Sequence, residues 1–182
     1  MEEKTDKDLY REFLNGSKES FEVLVLKYKD RLIYFIQRYV RSVEIAEDLA
    51  QDVFVYLLVH KENYDFKYSL KTYLYTIAKS KAINYIKREK RITYIDEKEF
   101  IEFEELEEKV FKKEREENLI KDIKKLKIDY QNVIYLIDIE ELKYKEVAKV
   151  LNKTLPQVKI LIYRARRALE EIVRKEAEKY EG

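Results

Sequence analysis

The chain has 182 residues, with 38 Lys and Arg against 37 Asp and Glu, no cysteine, two glycines and one proline, and it is 46% apolar. That length suits one large or two small domains with real cores, and the lack of cysteine excludes disulfides and thiolate metal sites and fits a reducing compartment. No apolar run approaches the ~20 residues of a membrane span and MEEKTDKDLY is not a signal peptide, so a cytoplasmic protein without membrane insertion is expected.

In chain order, Asp6 to Leu14 reads as a short helix stopped by Asn15-Gly16. Ser17 caps a long helix that keeps Phe21, Leu24, Val25, Tyr28, Leu32, Phe35, Ile36 and Tyr39 in register. Ser42 caps a third helix, whose buried stripe is Ala46, Leu49, Ala50, Val53 and Leu57. Away from that stripe, DLAQD places Asp48, Gln51 and Asp52 on one face. An acid and amide patch repels phosphate and suits a partner with basic residues; an ordinary solvated face is the plainer alternative.

His60 to Ser69 reads as a polar and aromatic loop that holds Tyr64, Phe66 and Tyr68. A fourth helix from about Leu70 to Arg91 buries Leu70, Leu74, Ile77, Ala78 and Tyr85. Its other side carries Tyr73, Thr76, Ser80, Asn84, Lys87 and Arg91. An aromatic, small hydroxyls, an amide and cations supply what single-stranded nucleic acid needs, namely stacking, base-edge bonds and phosphate charge.

From Ile92 to about Lys109 no clear periodicity is visible, which reads as a linker. Helices are expected over Lys112 to Leu126 and Gln131 to Ile139. Lys143 to Leu169 then gives two helices and a tight turn. Val147, Ala148 and Leu151 face inward, Asn152 takes the left-handed stop, Thr154 caps the second of these helices and Pro156 fits its first turn. Val158, Leu161, Ile162, Ala165 and Leu169 recur at helical spacing, while Lys159, Tyr163, Arg164, Arg166 and Arg167 supply donors and charge. Such a helix-turn-helix is built to enter a DNA major groove, with a helical hairpin bearing a solvated charged face as the alternative.

The near-neutral total hides segregation. From Phe66 to Arg91 eight basic residues stand against Glu89 alone, and from Lys153 to Lys175 seven stand against Glu170 and Glu171. Between them, Ile92 to Asn118 holds eleven acids and five bases. Two basic blocks around an acidic one imply two nucleic-acid-binding modules tied by a segment that DNA repels.

The order AEDLAQDVF, LKTYLYTIAKSKAINYIKREKR, linker and a helix-turn-helix ending YRARRAL resembles the bacterial RNA polymerase sigma factors of the small extracytoplasmic-function (ECF) class. The resemblance runs roughly from Phe21 to Val173 and implies an all-α fold of two small helical domains, the second a helix-turn-helix. Residues 1–92 would be a region 2-like domain, 93–111 an acidic linker and 112–182 a region 4-like domain. The implied partners are core RNA polymerase and promoter DNA, with an anti-sigma factor as a further candidate.

By that resemblance Asp48, Gln51, Asp52 and Phe54 would bind core polymerase. Tyr64, Phe66, Tyr68, Tyr73, Ser80, Asn84, Lys87, Arg88 and Arg91 would take the melted −10 strand. Thr154, Gln157, Lys159, Ile160, Tyr163 and Arg164 would read the −35 element, with Arg166 and Arg167 nearer phosphates. Some positions depart from the family pattern: Tyr73 replaces its Trp, Ser80 and Asn84 its Asn and Asp, and Gln157-Val158-Lys159-Ile160-Leu161 its T-V-K-S-R.

A conventional helix-turn-helix regulator would account for the C-terminal third but leaves DLAQD and the basic aromatic helix without a task. An enzyme is not expected, because there is no Gly-rich phosphate loop and His60 is the single histidine. No catalytic residue, metal ligand or cofactor is therefore assigned.

Overall fold

The computed structural model describes residues 4–92 and 114–180, which form two compact units. The expected linker, 93–111, lies outside the described residues. Every regular element among the described residues is helical, and no helix there is long and apolar enough to cross a membrane.

The first unit contains α1 (Asp6–Leu14), α2 (Lys18–Val40), α3 (Val43–Val59), a 3-10 turn at Lys61–Asn63 and α4 (Leu70–Ile92). Side-chain caps define where its helices begin. The Ser17 hydroxyl accepts from the Ser20 N–H at 3.2 Å, that of Ser42 from Ile45 at 3.3 Å and that of Ser69 from Thr72 at 3.2 Å. Between α1 and α2 the chain turns at Gly16, whose φ of +101° strains any other residue.

Helices α2, α3 and α4 pack on one another, with α1 laid against α2. All five stripe residues expected on α3 are buried, as are Leu24, Tyr28, Leu32, Phe35 and Ile36 of α2. On α4, Leu70, Leu74 and Ala78 are buried, but Ile77 and Tyr85 are only half-buried. Tyr75 and Ala82 take the inner positions instead. The reason is Phe35, which meets Tyr75 edge-on at 5.0 Å between centroids and rolls that side of α4 toward α2.

The second unit contains α5 (Glu114–Lys124), α6 (Ile128–Ile134), a π-helical turn at Tyr135–Ile139, α7 (Tyr144–Leu151) and α8 (Leu155–Tyr180). Helix α6 starts earlier than its periodicity predicts. The Gln131 amide donates back to the Lys124 and Leu126 carbonyls, satisfying the end of α5 from inside α6. The π turn closes on a buried pair in which the Tyr135 hydroxyl donates to the Glu140 carboxylate at 2.9 Å.

Asn152 ends α7 in the left-handed conformation, with φ 54° and ψ 51°. Thr154 and Gln157 then form a reciprocal cap at the start of α8, where each side chain accepts from the other's backbone N–H. Val147, Leu151, Val158, Ile162 and Ala165 are buried as expected; Leu161, Leu169 and Ala148 are half-buried, and Val150 packs inside beside Val147.

The turn gives a stability prediction. A β-branched residue in the left-handed region costs about 1–2 kcal/mol, so Asn152→Val should raise hydrogen exchange across α7 and α8 while Asn152→Gly leaves it nearly unchanged. Equal exchange in the two variants would show that the turn tolerates strain.

Candidate nucleic-acid interface

The structure presents three side-chain groups, each fixed by its helix. On α3, Asp48, Gln51 and Asp52 are exposed on one face. Phe54 is buried, with its ring 6.5 Å from that of Phe21. Its ring helps to seat α3 on α2. Toward the end of α3, Val55, Leu58 and Val59 stay exposed at 54%, 48% and 69%, and Val55 and Val59 continue the line of Gln51 at helical spacing. The sequence signal was present: these apolar residues fall outside the buried stripe, and an exposed apolar cluster marks an interaction surface.

On α4 the polar side forms as expected, with Ser80, Asn84, Lys87 and Arg88 exposed. The Arg88 guanidinium lies 5.7 Å from the Tyr85 ring centroid, so its charge is held beside an aromatic face. The side chain of Arg91 lies outside the described residues. Thr76 spends its hydroxyl on the Thr72 carbonyl at 2.6 Å.

The aromatics ahead of this stripe differ from expectation. Tyr64 is buried, its hydroxyl donates to the Tyr68 carbonyl at 2.7 Å, and its ring packs 4.7 Å from Tyr10 and Phe66 and 5.3 Å from Tyr73. In this structure Tyr64 is thus the keystone of the loop and does not present its ring to solvent. Tyr73 is half-buried and its hydroxyl is buried without a hydrogen-bond partner; burial pushes its phenol above the ordinary range. Phe66 and Tyr68 remain partly accessible, and the Arg11 guanidinium lies 5.5 Å from the Phe66 ring centroid.

In the second unit α8 turns Lys159, Ile160, Tyr163, Arg164 and Arg167 outward, with Ile160 and Tyr163 exposed at 53% and 62%. Thr154 and Gln157 are exposed too, but each uses a side-chain oxygen as the acceptor in the cap, which leaves the Thr154 hydroxyl and the Gln157 Nε2 as donors. Arg166 is exposed as well and makes an ion pair within the unit. It grips Asp138 of the π turn through Nε at 3.2 Å and Nη2 at 2.5 Å. Both partners are solvent-exposed, so the pair joins α8 to the π turn while the guanidinium stays accessible. Arg167 stays outward, with Nη1 3.5 Å from the Tyr163 hydroxyl.

The two tyrosines separate core from contact. Tyr64→Ala should destabilise the first unit by about 3–5 kcal/mol, whereas Tyr73→Phe, which removes a buried unpaired hydroxyl, should be neutral or stabilising. Urea titration followed by circular dichroism measures both, and a tolerated Tyr64→Ala would mean that the loop is not anchored there.

The Sigma-70 region 2 model matches residues 24–92 and the Sigma-70 region 4 model residues 117–169. RNA polymerase sigma factor YlaC of Bacillus subtilis is 30% identical over 166 residues, covering 88% of this chain and 96% of that protein. ECF RNA polymerase sigma factor SigW of the same organism is 30% identical over 171 residues, covering 87% and 91%. Among solved structures, the sigma factor RpoE in complex with the anti-sigma factor NepR from Bartonella quintana has a TM-score of 0.73 at 21% identity, covering 86% of this chain and 98% of that one. CnrH in complex with the cytosolic domain of CnrY has a TM-score of 0.65 at 20% identity, covering 93% of this chain and 97% of that one. At such identities these two show a shared fold.

Proposed function

The chain belongs to the extracytoplasmic-function class of the sigma-70 family, and from that premise we infer how its two units divide the work of promoter recognition and opening. The carrying observation is that one small unit presents an acidic face on α3 and a cationic polar stripe on α4. The first repels DNA and the second attracts it, so the unit is built to bridge a protein and a nucleic acid.

In this reading Asp48, Gln51 and Asp52 meet basic residues of core RNA polymerase, and Val55, Leu58 and Val59 extend that contact with apolar area. Ser80, Asn84, Lys87 and Arg88 follow the non-template strand of the −10 element, with Phe66 and Tyr68 at the loop offering accessible ring surface. Unstacking a base costs a few kcal/mol, and stacking on an aromatic returns about 1–3 kcal/mol per base. Helix α8 reads the −35 element: Lys159 and Arg164 donate to base edges and Ile160 suits a thymine methyl. An anti-sigma factor would act by covering the exposed faces of α3 or α8, the partner class named for the solved RpoE relative.

Co-purification with core polymerase is the deciding experiment. Reversing Asp48 and Asp52 to Lys should abolish holoenzyme formation with helix content unchanged, because both carboxylates are exposed. Full assembly by that variant would remove α3 from the interface.

Within the holoenzyme, Lys159→Ala or Arg164→Ala should each weaken binding by about 1–3 kcal/mol and relax −35 preference. Uniform weakening on all promoters would mean phosphate contact only. A regulator that never meets polymerase would instead bind DNA equally well alone.

A further inference from the structure

Arg11 is exposed on α1, and its guanidinium lies 5.5 Å from the centre of the partly accessible Phe66 ring. It stands ahead of residues 24–92, the stretch that the region 2 model matches. Neither the acidic face of α3 nor the polar stripe of α4 includes any residue of α1.

We propose that Arg11 holds a phosphate of the opened non-template strand beside the base that stacks on Phe66. The proposal rests on the loop and α4 meeting that strand, and it adds a cation from α1 to the contact.

Three observations carry it. The first is that the site is preformed. The Tyr10 hydroxyl donates to the Lys61 carbonyl at 2.8 Å, Lys61 Nζ donates to the Leu14 carbonyl at 3.4 Å, and the Tyr10 ring packs 6.0 Å from that of Phe66. Helix α1 and the loop are thus one frame, so little ordering is needed when a nucleotide arrives.

The second is that the charge can be recruited. Arg11 pairs with Asp8 at 3.6 Å, but the two side chains are 63% and 50% exposed. Such a pair contributes little and yields to a phosphate. Asp8 also accepts from the Thr5 hydroxyl at 2.5 Å, so its charge is partly engaged elsewhere. Lys7, one turn earlier on the same face, is exposed and adds a second cation. Of the acids in the loop, Glu62 is exposed and Asp65 turns a carboxylate oxygen to the Lys67 backbone N–H at 2.9 Å.

The third is that the chemistry matches a nucleotide of a single strand. A ring flanked by a guanidinium offers a face to stack a base and a donor fork for the adjoining phosphate. The loop repeats the arrangement at Tyr68, whose ring centre lies 6.0 Å from the Lys67 ammonium. Two aromatic–cation pairs in one loop suit successive unstacked nucleotides. A duplex keeps its base faces covered, and a bare anion needs no ring.

The test uses the full chain assembled with the core polymerase of its own bacterium. The templates are fork junctions whose sequence is enriched from a random pool by the wild-type holoenzyme, with neutral methylphosphonates replacing the non-template phosphates one at a time. At one position the replacement should weaken the wild type by about two- to fivefold, the range of an exposed ion pair, yet leave Arg11→Gln unaffected. Every other position should respond alike in the two proteins. The slope of log K against log salt should be shallower by about 0.7 in Arg11→Gln, the loss of one single-strand phosphate. Arg11→Lys, which keeps the charge, should restore it. Thermal melting of both variants alongside the wild type establishes that they are folded.

Identical methylphosphonate profiles for Arg11→Gln and the wild type would overturn the proposal and leave Arg11 as a brace for the loop. So would uniform weakening at all positions with a lowered melting temperature. A changed base preference beside an unchanged phosphate profile would also refute it, by making Arg11 a base-edge contact. The same scan on Lys87→Ala judges the underlying reading separately: if no phosphate loses its effect there, α4 does not follow the strand, whatever Arg11 does.

Discussion

Everything the first unit offers depends on Tyr10. Its ring is fully buried and its hydroxyl donates to the Lys61 carbonyl at 2.8 Å, tying α1 to the 3-10 turn after α3. Phe13, Tyr64 and Phe66 surround it at centroid distances of 5.5, 4.7 and 6.0 Å, and Tyr64 hands the contact on to Tyr73 of α4. Edge-to-face packing fixes orientation as well as burying area. The loop of residues 60–69, which also has hydrogen bonds of its own, is thereby tied to α1, and the polar stripe of α4 gets a defined starting point.

The second unit solves the same problem with polar contacts. A recognition helix is useful only if its rotation about its own axis is set, and apolar packing through Val158, Ile162 and Ala165 fixes this from one side alone. The reciprocal Thr154 and Gln157 cap sets where the helix begins, and the Arg166 pair with Asp138 fixes its angle against the π turn. Farther along, Lys125 bridges Asp122 at 2.8 Å and Glu176 at 3.2 Å, holding α8 against the end of α5. Part of what reads as DNA-binding charge in the sequence thus also has a partner within the unit.

Element identity was legible because it rests on local chemistry: serine caps, the Asn15-Gly16 and Asn152 stops, and apolar residues at helical spacing. Exposed site residues on α3 and α8 came from the same periodicity. What the sequence could not show was how aromatic and charged residues divide between core and surface. The sequence does not divide sixteen tyrosines between core and surface, and only the fold shows that Tyr64 finds the Tyr68 carbonyl. Arg166 and Arg167 are likewise adjacent and identical in type; only the fold shows that one of them pairs with a residue 28 positions away in sequence.

A net charge of +1 is low for a chain that handles DNA. Backbone affinity scales with the number of phosphates neutralised, and a unit offering only a few exposed cations gains little from counterion release at physiological salt. Two such units on one chain gain more, because binding of the first raises the effective concentration of the second. That gain requires the units to be held at the right separation, which a linker alone does poorly if its length does not match the span. A protein scaffold that grips the acidic face of α3 would supply the missing constraint. Weak intrinsic charge would then act as a form of specificity, favouring DNA where both units are placed together over DNA at large.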